Sequence, residues 1–167
     1  MTAADTGMRI SSRQECADIA SILLNGCQLD TIRIHSLVIQ LGFICVGRSA
    51  PLPIEAWLSL SGDFAVTGSN FSLPYSSKND FFQRRALMLG KSYMLIGEKV
   101  TSADILETGT LQINLGSASI FAGVSEEANF ENIWELTSGT PNTNANQSWY
   151  VSLADDGSFS SQKPGDA

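Results

Sequence analysis

Four landmarks occur twice, in the same order, along this 167-residue chain. They are an apolar pair before a glycine, an isoleucine, the pattern L-x-I-x-L-G, and a tryptophan followed four residues later by Ser-Gly. Their positions are 23–26 with 94–97, 34 with 105, 37–42 with 111–116, and 57–62 with 134–139. Self-similarity of this kind is typical of a duplicated structural unit. The sequence therefore predicts two repeats, about 12–72 and 77–139, and a further strand at 149–153.

Apolar residues alternate with polar ones within each repeat, which predicts β-strands with one buried face. In the second repeat, Leu111, Ile113 and Leu115 are separated by Gln112 and Asn114. Polar or glycine-containing stretches between such runs are typical of turns. The predicted strands are 28–34, 37–41, 43–46, 56–60, 63–67, 98–106, 111–115, 119–124, 133–137 and 149–153.

A predicted helix precedes the strands of each repeat. Ser12 can cap the first helix, because Glu15 follows at the spacing of a capping box. Ser77 can cap the second helix, which is expected to run through Leu89 and to stop at Gly90.

The order of these elements predicts the fold class. Helices that precede runs of strands, instead of alternating with single strands, are typical of α+β proteins with antiparallel meanders. We therefore expect an α+β fold in which both helix-plus-meander repeats pack as one compact domain over 1–159. Residues 160–167 are expected to form a flexible tail.

The charges are unevenly distributed along the chain. Asp and Glu number 17 against 10 Lys and Arg, which disfavours general nucleic-acid binding because phosphate contacts need clustered Lys and Arg. Residues 84–167 hold ten acids and five bases, whereas residues 1–83 hold seven acids and five bases. A negative surface can steer a basic partner, or it can simply solvate an exposed face. The predicted partner-binding residues are Glu107, Glu126, Glu127, Glu131 and Glu135.

Catalytic and metal-binding motifs are lacking in the sequence. The single histidine, His35, is predicted to lie at an exposed hairpin turn, and no Gly-x-Ser-x-Gly nucleophile elbow occurs. Cys16, Cys27 and Cys45 have neither zinc-binding nor Cys-x-x-Cys spacing, so free thiols in a reducing compartment are expected. We expect no catalytic residue, metal or cofactor.

The chain also gives no sequence signal for a membrane or for secretion. Its first residues lack the basic and apolar segments of a signal peptide. Its longest apolar runs are far shorter than the ~20 residues that span a bilayer. We therefore expect a soluble, cytoplasmic protein without a membrane or nucleic-acid partner.

Two short motifs are the basis of a resemblance to a known class of proteins. Leu24–Leu29 has the form L-x-G-x-x-[LV], Leu37–Gly42 follows as L-x-I-x-L-G, and both patterns recur in the second repeat. With the small size, the acidity and the Trp-marked meander after a short helix, this pattern resembles small acidic immunity proteins of bacterial toxin–immunity systems. The resemblance implies non-enzymatic, stoichiometric neutralisation of a cognate toxin or effector, by plugging its active site or holding an exosite.

Two other interpretations stay open on the sequence. A structural or assembly subunit could self-associate through its sheet edges or its tryptophans. A small hydrolase could use a cysteine thiol or a pair of carboxylates.

Overall fold

The computed structural model describes residues 9–68, 80–124, 132–139 and 148–165 of the chain. These residues form two helices and eleven strands. The helices are Arg13–Leu24 (α1) and Phe81–Tyr93 (α2). The strands are Arg9–Ile10 (β1), Gln28–His35 (β2), Val38–Ile44 (β3), Glu55–Leu60 (β4), Phe64–Gly68 (β5), Val100–Ile105 (β6), Leu111–Leu115 (β7), Ala118–Ala122 (β8), Asn132–Ser138 (β9), Tyr150–Ala154 (β10) and Phe159–Gln162 (β11).

The strands are arranged in two antiparallel sheets. One has seven strands in the order β1-β11-β10-β9-β4-β3-β2, and the other has four in the order β5-β8-β7-β6. Each helix is followed by three strands in one sheet and by a fourth that crosses to the other sheet, which is β5 after the first three and β9 after the second three. The mixed α+β fold with antiparallel sheets is confirmed. We call α1 with β2–β5 the first half and α2 with β6–β9 the second half; that these halves are repeats stays a prediction.

Backbone hydrogen bonds join the beginnings of β2 and β6 and thereby connect the two sheets. Gln28 and Lys99 form a single antiparallel bridge at this junction. Four bonds surround the bridge: Gly26 N to Val100 O at 2.9 Å, Gly97 N to Leu29 O at 2.8 Å, Val100 N to Cys27 O at 2.7 Å, and Leu29 N to Glu98 O at 3.0 Å. They satisfy backbone N–H and C=O groups at the outer strand of each sheet, where unpaired groups could form hydrogen bonds with a strand of another chain.

Both sheets and both helices contribute to one apolar core. From α1, Ile19, Leu23 and Leu24 are fully buried in it, and the helix packs mainly against β6. From β9, Trp134 supplies the largest fully buried side chain among the described residues. A contiguous apolar cluster of this kind is typical of a single folding unit.

Both helices begin with a capping box, although only one begins where the sequence predicted. Ser12 and Glu15 cap α1 as expected. For α2 the cap is Asp80 with Gln83, while the predicted cap Ser77 lies outside the described residues. The prediction that Gly90 ends the second helix is wrong, because α2 continues to Tyr93. Glycine costs only about 1 kcal/mol inside a helix, so other contacts can overrule it as a stop signal.

Two strand boundaries differ from the predicted ones. The predicted strand 43–46 is not separate, because β3 runs without a break through Gly42, which lies under the ring of Trp57. Ser160–Gln162, predicted to belong to a flexible tail, form most of β11, in which Ser161 is buried between Val151 and Arg9. Backbone pairing in a sheet does not require apolar side chains, and polar strands like this one escape a search for apolar alternation.

The cysteines also differ from their predicted state. Cys27 and Cys45 form a disulfide, so the expectation of free thiols is wrong for this pair. The hairpin of β2 and β3 pairs Gln28 with Ile44, which places the two cysteines side by side across the strands. Sequence spacing alone cannot reveal such a cross-strand pair. Cys16 is free and buried.

Two adjacent arginines attach α2 to the strands beneath it. Arg84 forms a salt bridge of 2.8 Å with the buried carboxylate of Asp63. The buried guanidinium of Arg85 donates hydrogen bonds to three backbone carbonyl oxygens, those of Leu37, Leu60 and Gly62. Burial lowers the pKa of Arg85, and the nearby Asp63 carboxylate opposes this shift.

We expect Gly42→Ala to destabilise the protein by about 1–3 kcal/mol, the usual cost of overpacking a filled site. A Cβ at position 42 would lie 2.7 Å from a ring carbon of Trp57. The matched control is Gly90→Ala, which meets open space within α2 and should stabilise the helix by up to ~1 kcal/mol. Urea unfolding of both variants measures the difference, and equal stabilities would contradict this packing.

Candidate functional site

A cleft of about 570 Å³ opens where connections from both sheets meet. The β6–β7 turn supplies residues 107–110 to its wall, the end of β8 supplies 123–124, and the β10–β11 turn supplies 155–157. Three apolar side chains, Ile133, Leu153 and Phe159, complete the lining. The cleft is thus built by both sheets, and its shape depends on how they are held together.

Trp134 fixes the floor of this cleft. Its indole N–H donates a hydrogen bond of 3.2 Å to the carbonyl oxygen of Gly109 in the β6–β7 turn. The Phe159 ring packs against the indole, with 6.5 Å between ring centroids. A buried tryptophan normally finds a partner for its N–H, and here that partner is the turn which carries Glu107.

Hydroxyl contacts and tight backbone packing hold the same turn against β8. The Thr110 hydroxyl donates to the carbonyl oxygen of Gly123 at 3.1 Å and lies 3.0 Å from the Thr108 hydroxyl. Gly109 has φ +86°, and a Cβ there would approach Leu153 to 3.2 Å. Because this position needs both a left-handed backbone and close packing, it favours glycine.

Three carboxylates form the rim of the cleft. They belong to Glu107, Asp155 and Asp156, and the residues that line the described cleft include no Lys or Arg. The Asp156 carboxylate accepts a hydrogen bond of 2.8 Å from the Ser158 backbone N–H. Hydrogen bonds from Ser158 lower the pKa of Asp156, so this group stays ionised under mildly acidic conditions. The cleft therefore combines an apolar floor with a negative rim.

The structure separates the predicted partner-binding residues. Glu107 lies on the rim, whereas Glu135 lies in β9 outside the cleft lining, where it accepts hydrogen bonds from the Tyr150 hydroxyl at 3.2 Å and from the Asn132 amide at 3.1 Å. Glu126, Glu127 and Glu131 lie outside the described residues. Sequence reasoning missed Asp155 and Asp156 as site residues, because a turn accounts for Asp-Asp-Gly on its own.

A second, smaller groove of about 200 Å³ lies beside β2, β3 and β4. The guanidinium of Arg33 stacks over the Trp57 ring, 4.1 Å from its centroid. Asp30 and Glu55 also line the groove, so both signs of charge are present. It does not share the single-sign rim of the larger cleft.

His35 and Cys16, two of the groups considered for catalysis, differ in their exposure. His35 is exposed at the end of β2. Burial raises the pKa of the Cys16 thiol to about 11, the opposite of the shift that activates a nucleophilic cysteine. Within 9–68, 80–124, 132–139 and 148–165, no three His, Cys, Asp or Glu side chains are placed to hold a metal ion, and no helix has the length and apolar character to cross a membrane.

No protein-family model, curated protein or solved structure matches the chain.

We expect Trp134→Phe to lower the free energy of unfolding by at least about 1–3 kcal/mol, because it leaves the buried Gly109 carbonyl without its donor. The matched control is Trp149→Phe, since the buried Trp149 N–H donates to no atom of the described chain. That change should cost less. Thermal and urea unfolding provide the comparison, and equal losses in both variants would argue against a structural role for the Trp134 hydrogen bond.

Cys16 should resist alkylation while the protein is folded. Its pKa of about 11 lies above the ordinary value of 9.0 because burial disfavours the thiolate. The stability contributed by the neutral thiol is complete below pH ~9 and falls as the pH rises through about 11. Iodoacetamide at pH ~8 should label no cysteine in the native protein and one after unfolding without reductant. Native labelling, or three labels after unfolding, would contradict this state of the cysteines.

Proposed function

We propose that the chain is a non-enzymatic, immunity-type protein that binds and neutralises a cognate protein toxin or effector. The observation that carries this proposal is the cleft with an apolar floor and a rim formed by Glu107, Asp155 and Asp156. Interfaces commonly combine a desolvated apolar centre with a polar surround. A single-sign rim would favour a basic partner and accelerate its association.

The predicted residues outside the described part of the chain belong to the same proposal. Glu126 and Glu127 follow Val124, a lining residue of the cleft, by only two and three positions in the sequence. Glu131 precedes another lining residue, Ile133, by two positions. All three therefore stay predicted contacts for a basic partner. Glu135 would contact a partner only if the interface extended beyond the cleft.

One observation favours a second candidate function, that of a subunit which self-associates through a sheet edge. β2 is the outermost strand of the seven-stranded sheet, and Ile34 near its end is 60% exposed. β6 pairs with the beginning of β2, so it is the remaining part of this edge, with its exposed apolar residue, that could pair with another chain. Light scattering separates the two functions, because a monomer at all concentrations would rule out the self-associating subunit.

The hydrolase interpretation receives less support from the site. The Cys16 thiol is buried with a raised pKa, and Cys27 and Cys45 are bonded to each other. A cysteine nucleophile instead needs a lowered pKa and access to substrate. The carboxylates of the cleft remain available for chemistry, but no feature of the site distinguishes an acid from a base among them.

We also infer that the two halves of the fold arose by duplication. The bonds between β2 and β6 are reciprocal: Gly26 to Val100 is matched by Gly97 to Leu29, 71 positions apart in each case. Both hairpins carry an extra residue in their first strand, at the register shifts after Leu29 and Val100. These correspondences support a common origin of the two units.

The strand registers adjust the alignment of the proposed repeats. Leu29 pairs with Phe43 in the first hairpin, and Val100 pairs with Leu115 in the second. Phe43 therefore corresponds to Leu115. Four positions earlier in each strand, Ile39 corresponds to Leu111, whereas the sequence match had aligned Leu37 with Leu111. The L-x-I-x-L-G match is therefore two residues out of structural register, although it stays on the same strand face. The two landmark tryptophans do not correspond either. Trp57 lies in β4, whose counterpart is β8, whereas Trp134 lies in β9, whose counterpart is β5.

The Cys27–Cys45 disulfide argues against the cytoplasmic location that the sequence led us to expect. Disulfides persist in oxidising compartments and are rare in the cytoplasm of mesophiles. A cytoplasmic protein would hold Cys27 and Cys45 as thiols, while the bonded pair would mark an oxidising compartment. Rapid acid quenching and alkylation of producing cells distinguishes the two states.

The test of function is binding to the protein encoded by the gene that neighbours the gene for this chain. The binding of the unaltered chain is compared with that of a variant whose rim carboxylates are neutralised. Combined Glu107→Gln, Asp155→Asn and Asp156→Asn changes should weaken the complex roughly 3- to 100-fold, mainly through slower association at low salt. Asp18→Asn, an exposed change on α1, is the matched control and should leave binding unchanged.

Charge reversal at Glu126, Glu127 and Glu131 applies the same measurement to the remaining predicted partner-binding residues. Association rates at several salt concentrations should fall in this variant as well. If neither set of changes alters affinity or association rate, the negative rim has no role in binding. If no complex forms at all with that gene product, the immunity proposal loses its basis.

A further inference from the structure

The cleft has a counterpart in the first half of the fold. The β4–β9 register pairs Leu60 with Trp134, and the β8–β5 register pairs Ala122 with Phe64. In the comparison of the two halves, β4 corresponds to β8 and β5 corresponds to β9. Leu60 therefore corresponds to Ala122, and Phe64 corresponds to Trp134. The adjoining backbone bonds agree: Ser61 N donates to Ile133 O at 3.3 Å, and Gly123 N donates to Asp63 O at 3.1 Å.

In the first half this place is filled by an arginine of the chain itself. The Arg85 guanidinium donates to the carbonyl oxygens of Leu60 and Gly62, at the end of β4, and to that of Leu37 in the β2–β3 turn at 3.0 Å. Its central carbon atom lies 5.1 Å from the centroid of the Phe81 ring in α2 and 5.8 Å from that of the Phe64 ring. Backbone carbonyls and an aromatic face thus form a receptor for a guanidinium, and α2 delivers the occupant.

The second half has the same framework without an internal arginine. Val124 and Gly109 take the places of Gly62 and the β2–β3 turn, and Trp134 takes the place of Phe64. Val124 and Gly109 line the cleft. Trp134 is fully buried beneath them and donates its N–H to the Gly109 carbonyl, so the aromatic ring that lines the cleft is that of Phe159. None of the described residues takes the place of α2 here; after β9 the described chain continues with β10 and with the β10–β11 turn, which carries Asp155 and Asp156.

The acidic residues lie at different positions in the two halves. In the first half, the buried Asp63 carboxylate lies beside the arginines of α2. Its counterpart in the second half is Ile133, an apolar residue of the cleft. The negative charge is found instead at the rim, on Glu107, Asp155 and Asp156, where it can face a group that arrives from outside.

We propose that this cleft binds the guanidinium of an arginine side chain presented by the protein partner, at the place that corresponds to that of Arg85 in the first half. The proposal rests on the proposed function and names the group that the cleft recognises. Arginine fits better than lysine because its planar group is weakly hydrated, stacks on aromatic rings and offers several donors to carbonyl and carboxylate oxygens.

The test uses the full chain and the peptide acetyl-Gly-Arg-Gly-amide, followed by ¹H–¹⁵N NMR at millimolar peptide. We expect saturable shifts of the backbone amides of residues 108–110, Gly123 and Gly157, and of the Trp134 indole N–H. The neutral citrulline peptide has nearly the same shape and should produce no such shifts. Neutralising the three rim carboxylates should weaken arginine binding at least about threefold, while Asp18→Asn should not.

Three results would overturn the proposal: equal shifts with the citrulline peptide, unchanged binding after rim neutralisation, or no shifts with either peptide. Failure here is distinct from failure of the proposed function. If the neighbouring gene product still forms a complex that depends on salt, the immunity proposal stands and recognition of arginine by the cleft falls. If the arginine peptide binds and that complex does not form, the cleft is an arginine site in a protein of another function.

Discussion

The backbone bonds between the beginnings of β2 and β6 are the interaction on which the rest of this structure depends. Each strand begins directly after a glycine-containing turn, and each uses that turn to reach the other strand. Gly26 and Gly97 have positive φ values of 80° and 94°, a conformation that glycine adopts without steric cost. The sheets are thereby held in a fixed relation, and the fourth strand of each half can add to the opposite sheet.

This exchange of fourth strands creates two corresponding places in the molecule. The end of β4 meets the beginning of β9, and the end of β8 meets the beginning of β5. The chain closes the first place with α2 and the side chain of Arg85. Among the described residues, the acidic β10–β11 turn covers the second place, so the halves share a framework and differ in the segment that covers it.

The sequence is sufficient for much of the fold and for little of the site. Alternation of apolar residues predicted most strands, and the Ser12–Glu15 spacing predicted the start of α1, because these signals are local. The strand exchange, the Cys27–Cys45 bond and the burial of Arg85 depend on contacts between distant segments, which no local pattern encodes. For the site, the acidity of Glu107 was visible, but its proximity to Asp155 and Asp156 arises only when both sheets meet.

The most direct measurement is NMR mapping of the complex between the isotope-labelled chain and the neighbouring gene product. The largest perturbations should centre on residues 107–110, Gly123 and 155–157, around the Trp134 indole. They should vanish when the partner's surface arginines are replaced by glutamine. Perturbations centred on the Arg33–Trp57 groove, with the cleft unaffected, would contradict the assignment of the cleft as the binding site.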